Sequence, residues 1–216
     1  MLEKMSDFFE ARLSSYDEHM LTEIDFATEF YPFTANLLPK NNDAKILDLG
    51  CGTGLELGFY FKQNPEAEVT GIDLCEAMLE SLKEKFIDKK INIIVGSYFE
   101  VPFIEEKYDA AVSVESLHHF TKSEKIPLYN KLNNALKEGG YFILTDYFAL
   151  SQGEENMHRE ILLRLKREQN ISDNEFYHYD TPLTVENETN ALLNAGFSKV
   201  EVLNNWGQTY TLKAYK

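Results

Sequence analysis

A glycine-rich turn between a predicted strand and a predicted helix is the strongest chemical signal in the sequence. The turn spans residues 48–54 and reads DLGCGTG. Glycines let the backbone turn sharply and approach a ligand without an intervening side chain. Asp73 follows 19 residues after Gly54, at the end of the next predicted strand, where its carboxylate can accept hydrogen bonds from both ribose hydroxyls. Together these residues predict a nucleoside-binding crevice.

The glycine spacing and the acid at the start of the turn distinguish this site from a dinucleotide site. The dinucleotide fingerprint is G-x-G-x-x-G, whereas this turn reads G-x-G-x-G and begins with Asp48. A pyrophosphate gains nothing from that acid, but an ammonium or a sulfonium gains a direct Coulomb attraction. At these positions the chain resembles the class I S-adenosylmethionine (SAM)-dependent methyltransferases, because residues 46–54 are similar to their first motif and residues 71–73 to their acidic second motif.

The resemblance implies SAM as cofactor, S-adenosylhomocysteine (SAH) as its product, and a role for each matching position. Gly50 and Gly52 would pass against the methionine and ribose parts of SAM, Asp48 would orient the amino group, and Asp73 would bind the ribose. Ser97 stands where many relatives have an aspartate that accepts a hydrogen bond from adenine, and a hydroxyl can still accept one. The rest of the predicted cofactor site is Tyr16, Cys51, Leu74, Met78, Tyr98 and Glu115, with a place in the core as the alternative for Met78.

The segment after the fourth predicted strand carries the candidate catalytic group. It spans residues 113–120, reads SVESLHHF, and resembles the fourth motif of the small-molecule branch, which places a histidine near the transferred methyl. Methyl transfer is an in-line displacement, so alignment and exclusion of water matter most, and a base is needed only for a hydroxyl or an acidic C–H. We predict His119 as the catalytic residue, through contact or as general base, with a structural histidine as the alternative.

A metal ion is the less favoured interpretation of the same segment. Glu115, His118 and His119 lie at i, i+3 and i+4, which could gather three ligands on one helical face. This spacing is a weak signal, so no metal is predicted and Glu115 is assigned to the cofactor side. The remaining polar candidates, which no spacing distinguishes from surface residues, are His158, His178 and Asp180.

Alternating strands and helices must position these groups. Apolar runs predict strands at residues 45–49, 68–72, 91–95, 108–114, 141–145, 199–203 and 209–215. Helices are predicted after the glycine turn, after Asp73, from about residue 126 to a stop at Gly139-Gly140, and over residues 185–195. The alternation predicts an α/β fold with a doubly wound parallel sheet, and the resemblance implies its Rossmann-like, seven-stranded, mostly parallel form flanked by helices.

Two aromatic-rich segments outside the sheet are expected to form a helical lid. Residues 8–38 show helical spacing divided near residues 17–22, which predicts two helices, and residues 151–170 predict an inserted helix before an aromatic loop at 176–179. In the family, such segments close over the cofactor and build the acceptor pocket. The alternative is that the rings only fill gaps between helices and sheet. We expect one domain, residues 1–216, with an N-terminal lid at 1–40 and a cap segment at 150–182.

Composition and charge narrow the class of protein. The 216 residues are 44% hydrophobic, which suffices for a core, and 36 acidic against 21 basic residues give a net charge of −15. That charge repels phosphate backbones and disfavours nucleic acid as a partner. No apolar run approaches the roughly 18 residues of a membrane span, and two cysteines make no disulfide framework. We expect a cytoplasmic protein without membrane contact, either monomer or homodimer.

The sequence therefore predicts a SAM-dependent methyltransferase of a small-molecule acceptor, whose N, O, S or C nucleophile stays open. Ring faces attract cations, so the aromatic segments favour an acceptor with apolar area or a cationic head. The alternatives are a methyltransferase of a transfer RNA base or protein side chain, and a catalytically inactive SAM-binding module. A nicotinamide dehydrogenase is disfavoured by the glycine spacing.

Overall fold

A computed structural model describes residues 1–172 and 175–216, and these residues form a sheet flanked by helices. The structure describes the predicted cap segment, residues 150–182, with the exception of residues 173 and 174, which lie outside the described residues. Within the described residues the sheet has seven strands, which are β1 Lys45–Leu49, β2 Glu68–Asp73, β3 Lys90–Val95, β4 Tyr108–Val114, β5 Leu136–Tyr147, β6 Lys199–Trp206 and β7 Thr209–Tyr215.

The strand order confirms the predicted doubly wound, mostly parallel sheet. The order is β3-β2-β1-β4-β5-β7-β6, with β1 to β5 parallel and β7 antiparallel to both β5 and β6. Ile46 at the centre of the sheet pairs with Val69 on one side and Ala110 on the other. All three side chains are buried, as expected for central strands covered on both faces by helices.

Eight α-helices and one short 3₁₀ turn accompany the strands in the described residues. The α-helices are α1 Met5–Glu10, α2 Leu13–Thr22, α3 Ala27–Asn36, α4 Leu55–Gln63, α5 Glu76–Lys85, α6 Lys122–Ala135, α7 Gln152–Glu168 and α8 Val185–Asn194. One apolar core contains Leu132 of α6 and Leu192 of α8, and the core on the other side of the sheet contains Phe30 of α3 and Leu57 of α4. None of these helices is long and apolar enough to cross a membrane.

The N-terminal segment folds as three helices, so the prediction of two helices divided near residues 17–22 was wrong. Helix α2 runs straight through that region, and the breaks lie at residues 11–12 and 23–26. Phe26 ends the second break with a left-handed backbone, at φ 63°. Neither break contains glycine or proline, the residues that usually mark such interruptions in a sequence.

The stop predicted for α6 at Gly139-Gly140 was also wrong. The helix starts at a capping box, in which the Glu124 carboxylate accepts a hydrogen bond from the Thr121 backbone N–H at 2.7 Å, and it ends at Ala135. Leu136 then pairs with Tyr108, so β5 begins there and the two glycines lie inside the strand. The register shifts between Leu136 and Tyr141, which accommodates the left-handed Gly139 at φ 75°.

Candidate functional site

The carboxyl ends of β1, β2 and β4 meet at the centre of the sheet, where the strand order reverses. The glycine turn follows β1 and approaches the loop after β4 so closely that a Cβ on Gly50 would lie 2.0 Å from Ser116 Oγ. Gly50 also has a φ of 73°, and its N–H donates to the Ile72 carbonyl at 2.8 Å. Only glycine combines this backbone conformation with this approach. The crevice is therefore at the switch point where open α/β sheets bind ligands.

Asp73, at the end of β2, is fixed by two backbone donors. Its Oδ2 accepts a hydrogen bond from Gly52 N–H at 2.9 Å, and its Oδ1 accepts one from Cys75 N–H at 2.8 Å. Burial raises the pKa of Asp73, while these N–H donors act in the opposite direction. Each carboxylate oxygen has a second lone pair, so the group can also accept hydrogen bonds from a ligand's hydroxyls.

Asp48 and Glu56 form a buried carboxyl pair beneath the glycine turn. They are 1% and 5% exposed, and both oxygens of Asp48 and Oε1 of Glu56 lack a hydrogen-bond partner. Burial raises the pKa of both groups, and the charge of Glu56 raises that of Asp48 further, so the pair favours holding a proton. Asp48 lies behind the cavity wall rather than in it.

A narrow cavity of about 50 Å³ brings most of the predicted cofactor residues together. The predicted residues that line it are Tyr16, Gly50, Gly52, Asp73, Leu74, Met78, Tyr98, Glu115 and His119. Three predicted residues do not line it. Asp48 lies beneath the glycine turn. The sulfur of Cys51 packs against Gly71, 2.7 Å from the position that a Cβ on that glycine would occupy. The Ser97 hydroxyl accepts a hydrogen bond from Phe99 N–H.

Sequence reasoning missed several residues in the wall of this cavity. The additional lining residues are Met5, Ser6, Phe9, Cys75, Val114 and Ser116. Met5 and Phe9 are four residues apart, so they share one face of α1, and that spacing was the available signal. The half-buried Tyr16 packs edge to face against Phe9, and burial of its hydroxyl followed by the charge of Asp73 raises the pKa of that hydroxyl. The N-terminal helices thus cover the carboxyl edge of the sheet.

A second cavity of about 830 Å³ adjoins the first. Four residues belong to both walls: Phe9, Tyr16, Glu115 and His119. Glu115 has a left-handed backbone at φ 49°, an uncommon conformation for a side chain other than glycine, and its Oε1 accepts from the Thr209 hydroxyl at 3.3 Å. Burial, reinforced by the charge of Asp146, raises the pKa of Glu115 to about 8.

His118 and His119, on the 3₁₀ turn after β4, occupy different electrostatic environments. His118 Nδ1 lies 2.5 Å from Asp146 Oδ1, and although burial lowers the pKa of His118, Asp146 and Asp180 raise it well above its usual value. Burial and the charge of His118 lower the pKa of His119 to about 4. His119 is therefore neutral near pH 7, and its Nδ1 lies 3.3 Å from the Tyr179 carbonyl and 3.1 Å from Asp180 Oδ1.

The N-terminal segment and the cap segment contact each other over the two cavities. Met5 N–H donates to the Phe176 carbonyl, and His178 N–H donates to the Glu3 carbonyl, both at 3.0 Å. Between them Lys4 and Tyr177 form an antiparallel bridge. The ring of His178 stacks on Phe8 with centroids 3.5 Å apart. The two aromatic segments singled out from the sequence thus form one continuous cover.

Comparison with known proteins agrees with this architecture. A family model described as a methyltransferase domain matches residues 46–140. The whole chain is 26% identical to the carboxy-S-adenosyl-L-methionine synthase of Campylobacter fetus, of which the match covers 96%.

Solved structures share the fold. A Nostoc punctiforme protein proposed to be an O-methyltransferase superposes on 97% of this chain with a TM-score of 0.70 and 24% identity, and the chain spans 59% of that protein. Human N-acetylserotonin methyltransferase, solved in complex with SAM, superposes on 88% of this chain with a TM-score of 0.64 and 16% identity, and the chain spans 52% of it. The matched domain and the named relatives support a class I SAM-dependent methyltransferase with SAM as its cofactor.

Proposed function

We propose that the narrow cavity holds SAM and that the adjoining larger cavity holds a small-molecule methyl acceptor. The observation that carries the proposal is that Glu115 and His119 belong to the walls of both cavities. A methyl group presented at that shared wall would face the acceptor. Asp73 would bind the ribose hydroxyls, and Leu74 with Tyr98 would contact the adenine.

The chemical step is a displacement at the methyl carbon. A lone pair of the acceptor forms a bond to that carbon, the bond from carbon to sulfur breaks, and sulfur keeps the electron pair as SAH. The protein's task is to align the three atoms and exclude water. His119 is buried and neutral near pH 7, so it can contact the methyl group or accept a hydrogen bond from the acceptor.

The cavity volumes support a lid that opens for the cofactor. Ligand sites of small molecules usually measure about 300–1,000 Å³, whereas the cofactor cavity measures about 50 Å³. Met5 and Phe9 of α1 are in its wall, and α1 is attached to the cap through Phe176 and Tyr177. SAM would displace this cover to enter, and the cover would close again to exclude water.

The acceptor cavity favours a small molecule over a nucleic acid. Its volume of about 830 Å³ is in the range of small-molecule sites. Among the described residues of its wall, Arg12 is the one arginine or lysine, and Arg12 is paired with Glu3 at 3.1 Å. Asp25 and Asp180 add negative charge to the wall, which disfavours a phosphate backbone. The two buried free thiols, Cys51 and Cys75, fit a reducing compartment, and we propose a cytoplasmic enzyme.

A second candidate follows from the full-length relative. The Campylobacter fetus protein matches this chain from end to end and is named for making carboxylated SAM. If this chain did the same, SAM would be the molecule that is modified, and no methyl group would leave its sulfur. The acceptor cavity would then hold a donor of the carboxyl group.

One experiment separates the two candidates. The enzyme is incubated with SAM and a panel of candidate small molecules, and the nucleoside products are identified by mass spectrometry. Methyl transfer predicts SAH together with an acceptor that is heavier by one methylene, whereas the alternative predicts SAM that is heavier by one carbon dioxide. His119→Ala is expected to lower the rate, and His158→Ala, on the outer helix α7, is the matched control. Equal rates in both variants would contradict the placement of the reaction at His119.

A further inference from the structure

Two histidines that are adjacent in the sequence and an aspartate that is distant from them meet at the wall of the larger cavity. His118 and His119 come from the turn after β4, and Asp180 comes from the cap segment. Asp180 Oδ1 lies 3.1 Å from His119 Nδ1 and 3.5 Å from His118 Nε2. One donor atom from each of the three residues lies within 4.8 Å of the other two.

The contacts among these atoms do not have the direction of hydrogen bonds. Asp180 Oδ1 is buried without a hydrogen-bond partner, although two imidazole nitrogens are near it. The separations of 3.1 and 3.5 Å instead fit the edges of a coordination polyhedron, since metal bonds of about 2.0–2.2 Å put adjacent ligand atoms about 3.0–3.5 Å apart. The three donor atoms are therefore close enough together to bind one ion.

Asp146 gives His118 the orientation that a metal ligand needs. Its Oδ1 lies 2.5 Å from His118 Nδ1, and its Oδ2 accepts from Leu117 N–H at 2.9 Å, so both oxygens are already used. When Nδ1 donates its proton to Asp146, Nε2 carries the lone pair and faces Asp180. This carboxylate–histidine arrangement is the one that orients histidine ligands in metal sites. Asp146 therefore positions His118 and does not itself bind the ion, whereas Asp180 would bind the ion directly.

We propose that His118, His119 and Asp180 bind a divalent transition-metal ion at the wall of the acceptor cavity. Two imidazoles and one carboxylate suit zinc, iron(II), cobalt(II) or nickel(II) better than magnesium or calcium. Three protein ligands leave coordination positions for another molecule, and the cavity gives that molecule access.

The consequence for the acceptor rests on the proposed function. An acceptor hydroxyl that coordinates the ion loses its proton to solvent more readily. The resulting oxygen anion then forms the bond to the methyl carbon as sulfur leaves with its electron pair as SAH. The site therefore selects a hydroxylated acceptor that can coordinate metal.

The test is a titration of untagged protein, first freed of metal by a chelator, with cobalt(II) chloride. Binding is followed by the visible absorption of protein-bound cobalt and by elemental analysis. We expect one cobalt per chain, with affinity at least tenfold weaker in Asp180→Ala and in His119→Ala. His158→Ala is the matched histidine control and should bind as the wild type does. SAM affinity is measured in parallel, and Asp180→Ala should keep it within twofold, because Asp180 is absent from the wall of the narrow cavity.

Each outcome decides the proposal. Less than one cobalt per chain in protein that binds SAM, or equal cobalt affinity in Asp180→Ala, would overturn the metal site and leave a protonated His118 between two carboxylates. Cobalt binding without SAM binding would contradict the proposed function and keep the metal site. Because the Asp180 side chain is 45% exposed, its replacement should not prevent folding, and Asp180→Asn provides a second variant of nearly unchanged shape.

Discussion

Gly52 donates its backbone N–H to Oδ2 of Asp73 over 2.9 Å, which joins the turn after β1 to the acid at the end of β2. Hydrogen bonds to a carboxylate are stronger than those between neutral groups. The contact fixes the carboxylate in the wall of the narrow cavity before any ligand arrives. The proposed cofactor site is therefore preorganised on its sheet side, and we propose that the N-terminal helices form its movable side.

Gly50→Ala should destabilise the chain more than a glycine substitution that costs only backbone strain. An L-residue in the left-handed region costs about 1–2 kcal/mol, and the new Cβ would also lie 2.0 Å from Ser116 Oγ. Gly139→Ala is the matched control, since Gly139 has a φ of 75° and open space around its Cβ position. Urea unfolding should show Gly50→Ala less stable than Gly139→Ala by about 1–3 kcal/mol. Equal losses would mean that the turn can move away from Ser116.

The Asp48–Glu56 pair should make the ligand-free protein less stable as the pH rises. Both carboxyls have a higher pKa in the folded chain than in the unfolded chain, so folding favours their protonated forms. Their contribution is most favourable below the ordinary carboxyl pKa and is lost as the pH rises through the raised values. Glu56→Gln removes one charge, and its amide can donate to Asp48.

The measurement is the free energy of unfolding from pH 5 to pH 8. Glu56→Gln should gain stability over the wild type with rising pH, by about 1.4 kcal/mol for each unit by which the Glu56 pKa is raised. Glu80→Gln, on the exposed surface of α5, should show no such trend. A difference between Glu56→Gln and wild type that does not change with pH would refute the shared proton.

A cross-link between α1 and the cap should slow SAM binding. Lys4 and Tyr177 form an antiparallel bridge, so their Cα atoms lie about 4.5–5.5 Å apart, within the range a disulfide spans. Oxidised Lys4→Cys/Tyr177→Cys protein should bind SAM at least tenfold more slowly in stopped-flow measurements, and a reductant should restore the rate. The two single-cysteine variants control for loss of the native side chains. Unchanged kinetics in the oxidised protein would show that SAM enters without opening this cover.

The central sheet could be predicted from the sequence because its signals are local. Strand β1 is a short apolar run that ends at a glycine turn, and its predicted bounds, like those of β4 and β7, match the structure. The breaks at Arg12 and Phe26 were missed because ordinary residues make them. Gly139 and Gly140 were misinterpreted because a glycine pair after a helix resembles a helix stop, whereas pairing of Leu136 with Tyr108 starts the strand earlier.

Some residues of the candidate site could likewise be predicted from the sequence, and others could not. Gly50, Gly52 and Asp73 have a spacing that predicts their meeting, because parallel strands end at one edge. Asp180 has no such spacing, since it lies 61 residues from His119 and reaches it through the folding of the cap. The burial of Asp48 behind the wall of the narrow cavity could not be predicted from the sequence either. It depends on how α4 packs Glu56 against the glycine turn.

Calorimetric titration with SAM and SAH tests the central claim most directly. Wild-type protein should bind both ligands at one site per chain. Asp73→Ala removes a carboxylate that would bind the two ribose hydroxyls, and hydrogen bonds to charged groups contribute about 1.5–3 kcal/mol each, so affinity should fall about a hundredfold or more. Asp88→Ala, an exposed aspartate beyond α5, should bind like the wild type. Folded wild-type protein that binds neither ligand, or Asp73→Ala that binds as tightly as Asp88→Ala, would contradict the assignment of this crevice to SAM.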